Sequence, residues 1–154
     1  MASNNKTDKS LFAWAAMRIG LGFIFLWAFL DKLLGLGFAT CRDKLTDVVS
    51  SGCSDAWLYG GSPTDGYLKF ASQGPFADFF QRMAGQSWVD LVFMAGLAAL
   101  GVALILGISL RLASIAGILL MILMWSSVLP PDNNPVLDEH IIYAIALVGI
   151  AATA

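Results

Sequence analysis

From Leu11 to Leu30 the chain is apolar at every position except Arg18, a run of 20 residues. As a helix such a run extends ~30 Å, the thickness of a bilayer's hydrocarbon core. Leu91 to Leu110 gives 20 more residues without a charge, and Leu112 to Leu129 gives 18. Only Arg111 separates these two runs, which predicts two membrane helices joined by a tight turn. The segment PPDNNP then breaks the helix. Asn134 is placed to cap a fourth helix with Pro135 at its first position, where a missing N–H costs nothing. Asp138 and Glu139 come near that start, where the helix dipole favours carboxylates. The expected fold is an all-α membrane protein: a four-transmembrane-helix bundle forming one domain, 1–154. Its spans are expected at about 11–38, 88–110, 112–129 and 135–154, with a long extracytoplasmic loop, 39–87, between helices 1 and 2. The first run is too long for a cleaved signal peptide, and no small-residue cleavage site follows it. The last helix reaches the membrane edge at Ala154, and a tail beyond it is expected.

The loop has a pattern of its own. Phe76, Phe79, Phe80 and Met83 fall at i, i+3, i+4 and i+7, with Asp78, Gln81 and Arg82 on the other face. Pro75 starts this turn and Gly85 can end it. The pattern predicts a short amphipathic helix lying on the membrane surface. Gly60-Gly61-Ser62-Pro63-Thr64 reads as a turn; the competing reading is an anion site on its backbone N–H groups. In the long helices, Ala95, Ala99, Ala103 and Gly107 form a four-residue stripe, and Ala16 with Gly20 and Ala113 with Gly117 repeat it. Such stripes let helices approach closely in lipid, and they are expected to make the bundle's packing faces.

Composition sharpens the picture. The chain is 58% hydrophobic and 13% charged, too few charges to cover a soluble domain of 154 residues. A net charge of −2 with no Lys/Arg run excludes a nucleic-acid surface. Four crossings put both termini on one side. Lys6, Lys9, Arg18 and Arg111 lie there in short segments, while Lys32, Arg42, Lys44, Lys69 and Arg82 are spread through the long opposite side. Short flanks set orientation, so the termini are expected in the cytoplasm of a cell-membrane protein and the loop outside. Cys41 and Cys53 agree, since a disulfide needs an oxidising compartment. As a staple the bridge would stabilise the loop by ~3 kcal/mol; the other reading is a redox pair, which more often takes the CxxC form. With His140 the only histidine and far away in sequence, no four-ligand zinc set exists, and no metal is expected.

Two places carry candidate chemistry. Arg18 lies about two turns into the first helix, where an ionisable group is either functional or snorkels to the cytoplasmic surface. The second is the outer end of the bundle, where Asp31, Lys32, Asp90, Asp132, Asp138, Glu139 and His140 are brought near one another. His140 is expected about four residues into its helix, ~7 Å below its start, and has an unperturbed pKa near neutrality. Trp27, Trp88 and Trp125 are expected at the same depth, with Trp14 at the inner face. A histidine beside carboxylates there can hydrogen-bond a quinone carbonyl and exchange a proton. The competing reading is a polar ring that caps helices and anchors the bundle. The loop carries Arg42, Lys44, Lys69 and Arg82 against Asp43, Asp47, Asp55, Asp65 and Asp78. It is no electrostatic funnel for a dianion, though a single cation can hold one.

Several of these residues also carry a family resemblance. Arg18-Ile-Gly20-Leu-Gly22-Phe23 and the terminal Asp31-Lys32 resemble the first helix of the DoxX/DoxD family of small four-helix membrane proteins. So do Gly60-Gly61-Ser62-Pro63-Thr64, Gly66-Tyr67-Leu68 and Gly74-Pro75-Phe76 in the loop. Asn134-Pro135, Asp138 and His140-Ile141-Ile142-Tyr143 complete the match over nearly the whole chain. The resemblance implies the large subunit of a thiosulfate:quinone oxidoreductase, which oxidises thiosulfate to tetrathionate and reduces membrane quinone. It also implies a smaller DoxA-type partner or a larger redox complex, with quinone as a substrate and no covalently bound cofactor. On this expectation His140, Asp138 and Lys32 are catalytic, and Asp31, Arg42, Asp90, Trp27, Trp88 and Trp125 bind donor or quinone. The alternatives are a non-catalytic anchor or scaffold of a redox complex, and a small transporter. The transporter suits less well because no helix is broken at mid-membrane.

Overall fold

A computed structural model describes residues 2–43, 45–132 and 134–154, and side chains from Ser10 onward with the same two gaps. Helix α1 runs Ala2–Leu34. A long connection comes next, holding a 3-10 turn at Trp57–Tyr59, α2 (Asp65–Phe70), and a second 3-10 turn at Gly74–Phe76 that leads into α3 (Ala77–Arg82). Then come α4 (Ser87–Leu106), α5 (Leu110–Ser127) and α6 (Glu139–Thr153). The described residues contain no strand, only isolated bridges between Arg42 and Val49 and between Gln73 and Val128. α1 packs along α4 and α5 along α6, and contacts of α4 with α5 and of α1 with α6 complete the bundle. One end of the bundle carries the long connection (the loop end) and the other carries both chain termini (the terminal end).

Three helices are long and apolar enough to cross a membrane: Ser10–Leu34, Ser87–Leu106 and Leu110–Ser127, of 25, 20 and 18 residues. α6 is apolar but has 15 residues, ~22 Å. The inward faces supply Leu21, Phe25, Leu97, Leu100, Leu104, Ala113, Met121, Ala144, Leu147 and Ile150. The outward faces are equally apolar, with Phe12, Phe23, Val92, Leu112, Leu119 and Ile145 all exposed. Water leaves so large an apolar surface uncovered, and hydrocarbon suits it.

The ends of the helices differ from the expectation in ways that backbone chemistry explains. α1 stops at Leu34 and does not reach Phe38. Gly35 adopts φ +66 and donates its N–H to Asp31 O at 2.8 Å, the left-handed cap that closes a helix. Gly107 does the same for α4, and α5 begins at Leu110 after Ser109 at φ +48. The fourth helix begins at Glu139, not Pro135. Asn134 Oδ1 does accept from Val136 N and Leu137 N, the capping pattern expected of it. The turn does not propagate, because Asp138 is extended and becomes the cap itself, accepting from Ile141 N. His140 is therefore the second residue of α6, in its first turn.

The small-residue stripe also lies elsewhere than expected. Ala95 and Ala99 face outward, and a Cβ on Gly20 would meet nothing within 4 Å. α4 turns Met94, Leu97, Leu100, Gly101 and Leu104 inward instead. Ala113 and Gly117 do face inward as expected, a Cβ on Gly117 lying 2.8 Å from Leu147 Cδ1, and further close approaches are made by other glycines. A Cβ on Gly101 would lie 2.7 Å from Leu26 N, and one on Gly22 would lie 2.8 Å from Ile105 Cγ1, so both tighten the α1–α4 crossing. Gly149 leaves room for the Trp14 ring where α6 meets α1. Arg18 reaches toward the terminal end: its Nη1 donates to Leu104 O at 2.6 Å and to Ile105 O at 3.4 Å. It caps the unpaired carbonyls at the end of α4, as a cation at a helix C-terminus does.

Candidate functional site

The loop end is organised by two buried carboxylates. Asp31, 1% exposed, sits in the last turn of α1. Its Oδ1 accepts from Phe38 N at 3.0 Å, and its Oδ2 accepts from Ala39 N at 2.8 Å and Thr40 N at 3.0 Å. Asp90, 5% exposed, sits in the first turn of α4. Its Oδ1 accepts from Ser62 Oγ at 2.9 Å, Thr64 N at 3.1 Å and Thr64 Oγ1 at 2.7 Å. Each carboxylate draws a stretch of the connection onto a helix end. The Gly60–Thr64 turn is thus held by a carboxylate, and its Thr64 N–H and hydroxyl are already used. That argues against an anion site there.

By holding Thr64, Asp90 also positions α2, which begins at the next residue. This helix carries Tyr67, whose hydroxyl lies 3.0 Å from Ser127 Oγ and 3.4 Å from Met124 O at the end of α5. Ser127 Oγ donates to Met124 O at 2.7 Å, and its carbonyl accepts from Gln73 N at 2.8 Å. Burial pushes the Tyr67 hydroxyl above its usual pKa; the Ser127 bond opposes this, and the negative charges of Asp138 and Glu139 add to it. Those carboxylates open α6. His140 Nδ1 lies 2.7 Å from Asp138 Oδ2, with both side chains largely buried. An ionised Asp138 fixes the ring proton on Nδ1 and leaves Nε2 as the ring's acceptor. Trp125 Nε1 donates to Val136 O at 2.9 Å and ties α5 to the segment entering α6. His140, Asp138, Tyr67, Ser127 and Trp125 therefore gather where α2, α5 and α6 meet.

Other expected participants are placed differently. Trp27 stacks on Phe23 and meets Phe38 edge-on along α1, and Trp88 is exposed at the start of α4. Lys32 is half-buried beside Asp31 on α1. Arg42 is engaged, with Nε donating to Gly37 O at 2.9 Å and Nη1 lying 3.2 Å from Asp47 Oδ1. Lys69 pairs with Asp65 at 2.8 Å. Cys41 and Cys53 form a disulfide, Cα–Cα 5.7 Å. Beside it lies an open groove of about 530 Å³ that includes Arg42, Asp43 and Asp55. The N–H groups of Leu45 and then Thr46 hold the Asp43 carboxyl below the usual carboxylate range, so the groove stays anionic and disfavours a dianion. Lys44 and Asn133 lie outside the described residues.

Asp138, Glu139 and His140 each present one ligand atom, all within 4.8 Å of one another. Three consecutive residues at a helix N-terminus are a poor cation site. The dipole is positive there, and both Asp138 oxygens already accept from Ile141 N and His140 Nδ1. Tyr67 and Ser127 join the site without having been expected in it. α2 has 6 residues, too few for a periodicity, and 60 positions separate the pair.

The architecture defines an all-helical protein of the membrane-spanning class, with three helices long and apolar enough to cross and a polar layer at the loop end. Comparison with family models, with curated proteins and with solved structures finds no match to this chain.

Proposed function

We propose that this chain is the membrane subunit of a quinone-linked oxidoreductase, with four crossings, cytoplasmic termini and its redox site on the extracytoplasmic side. The observation that carries the reading is the Asp138–His140 pair, 2.7 Å apart at the start of α6, with the Tyr67 hydroxyl nearby. A quinone accepts two electrons and two protons. An imidazole whose orientation and proton are set by a carboxylate suits such an exchange at headgroup depth. Tyr67 adds a hydroxyl that stays protonated over the physiological range; its proton is engaged by Ser127 Oγ or Met124 O, and it would serve a quinone carbonyl by exchanging that bond. The resemblance to DoxX/DoxD proteins supplies the donor: two thiosulfates lose two electrons as a new S–S bond makes tetrathionate. Lys32, beside Asp31, is the cation that would hold this anionic donor.

A scaffold role has an observation in its favour. Asp31, Asp90, Arg18 and the Trp125 indole all spend their hydrogen bonds on the fold itself. The test is direct: purify the chain in detergent, add thiosulfate and a soluble quinone, and follow quinone absorbance. Turnover that falls in His140→Ala and Tyr67→Phe supports the redox site. Turnover indifferent to both removes this site and keeps the enzyme. No turnover, alone or with a co-purified small subunit, leaves the scaffold.

A further inference from the structure

Phe38 is 63% exposed, yet its place is fixed. Asp31 binds the N–H groups of Phe38, Ala39 and Thr40, and Asp31 lies one turn before the end of α1. The chain leaving the helix is therefore drawn back alongside the turn it has just left. There the Phe38 ring meets Trp27 edge-on, centroids 5.1 Å apart, and Trp27 stacks on Phe23 at 5.9 Å. Phe23 is exposed as well. The three rings form one column on the outside of a helix long enough to cross a membrane, and the loop supplies the top ring.

A second group of exposed rings lies on the segment that leads into α4. Helix α3 turns Phe80 inward, 7% exposed, and leaves Phe79 60% exposed with Phe76 also open. Between α3 and α4 the chain turns compactly, with Met83 N bonded to Phe80 O, Gln86 N to Met83 O, and Gly85 at φ +71. The turn 83–86 thus joins α3 to the start of α4, where Trp88, Leu91 and Val92 are exposed. Asp78, Gln81 and Arg82 are exposed around these rings, the mixture of an interfacial helix. Phe38 thus continues the outward apolar surface of α1, and Phe76 and Phe79 add exposed rings on the segment leading into α4.

We propose that the loop layer is seated in the headgroup–acyl boundary of the leaflet on its own side, with Phe38 and the Phe76/Phe79 edge of α3 as its two contacts and lipid as their partner. This rests on the reading of α1 and α4 as membrane crossings. It makes the connection a fixed interfacial lid, with only its disulfide-bridged tip standing in water.

The test uses the full chain with its native disulfide closed, reconstituted in phosphatidylcholine vesicles. Phe38→Cys and Phe79→Cys are each labelled with a nitroxide, and collision with oxygen, which partitions into lipid, is compared with collision with a water-soluble nickel chelate. Val102→Cys, on the outward side of α4, marks lipid; Leu45→Cys, where Leu45 is 97% exposed at the disulfide tip, marks water. Labels at 38 and 79 are expected to shift toward the Val102 oxygen-to-nickel ratio. A ratio at both equal to that at Leu45 overturns the proposal, and protection from both probes overturns it in favour of a protein partner. Nickel access at Val102 itself would instead sink the membrane crossing. Phe76→Cys reads the same surface should the Phe79 variant fail to reconstitute.

Discussion

Asp31→Ala removes the acceptor of three backbone N–H groups, those of Phe38, Ala39 and Thr40, at 3.0, 2.8 and 3.0 Å. Bonds to a charged acceptor contribute ~1.5–3 kcal/mol each, so three would sum to ~4.5–9 kcal/mol. That sum overstates the loss, because freed amides regain water once the segment lifts. The loss expected for the seating of residues 38–40 therefore lies below that sum, at ~3–5 kcal/mol, about two such bonds. At ~1.4 kcal/mol per decade it raises the open population roughly 100- to 4,000-fold. Site-resolved amide hydrogen exchange in detergent, with opening and closing fast relative to exchange, reads that factor directly. The three amides should accelerate together, while the Thr64 amide, held by Asp90, keeps its rate. Asp90→Ala should do the reverse. Asp31→Asn, which keeps one carbonyl oxygen, should fall between wild type and alanine. If Asp31→Ala leaves the amides of 38–40 at wild-type rates yet abolishes quinone turnover, Asp31 is a ligand-binding group and its anchoring role is wrong.

Three further outcomes are expected. Gly101→Ala should lower thermal stability in detergent, because its Cβ would press on the Leu26 backbone at 2.7 Å and overpacking costs ~1–3 kcal/mol. Gly96→Ala, with nothing within 4 Å of its Cβ, should be neutral or stabilising by up to ~1 kcal/mol; equal stability of the two variants would remove the tight α1–α4 crossing. Replacing Cys41 and Cys53 by serine, 12 positions apart, should cost ~3 kcal/mol in the chain-entropy model, measured as faster proteolysis of residues 42–52 without change in the helices. The raised pKa of Tyr67 means the folded state holds its proton after the unfolded chain has lost it. Its contribution is therefore complete below the ordinary value of 10.0 and is lost as pH rises through the folded value. Unfolding monitored from pH 9 to 11 should show a decline that Tyr67→Phe flattens, and an unchanged slope in that variant would place the hydroxyl in water.

The membrane-crossing runs could be read from the chain because length and absence of charge are one-dimensional properties. The inward face of each run could not. α4 is apolar all round, so its periodicity separates lipid from core hardly at all. Ala95 and Ala99 looked like part of a packing face for that reason, and Gly101 did not. Polar groups divide in the same way. Asp138 and His140 are two positions apart, so one helix start brings them together. The partners of Asp90 and Arg18 lie 26 to 28 and 86 to 87 positions away and are fixed only by the packed bundle. This division bears on function. Asp31 accepts from the fold on both oxygens and has little capacity left for a substrate, Asp90 receives all three of its bonds on Oδ1, and the indole N–H donating to Val136 O has no capacity left. The same holds for Arg42, held by Gly37 O and Asp47. His140 Nε2 takes no part in the bond that orients its ring, whereas the Tyr67 hydroxyl already donates to Ser127 Oγ or Met124 O. Chemistry at the loop end is therefore to be sought first at His140 and second at Tyr67, with Asp90 as the support that positions α2.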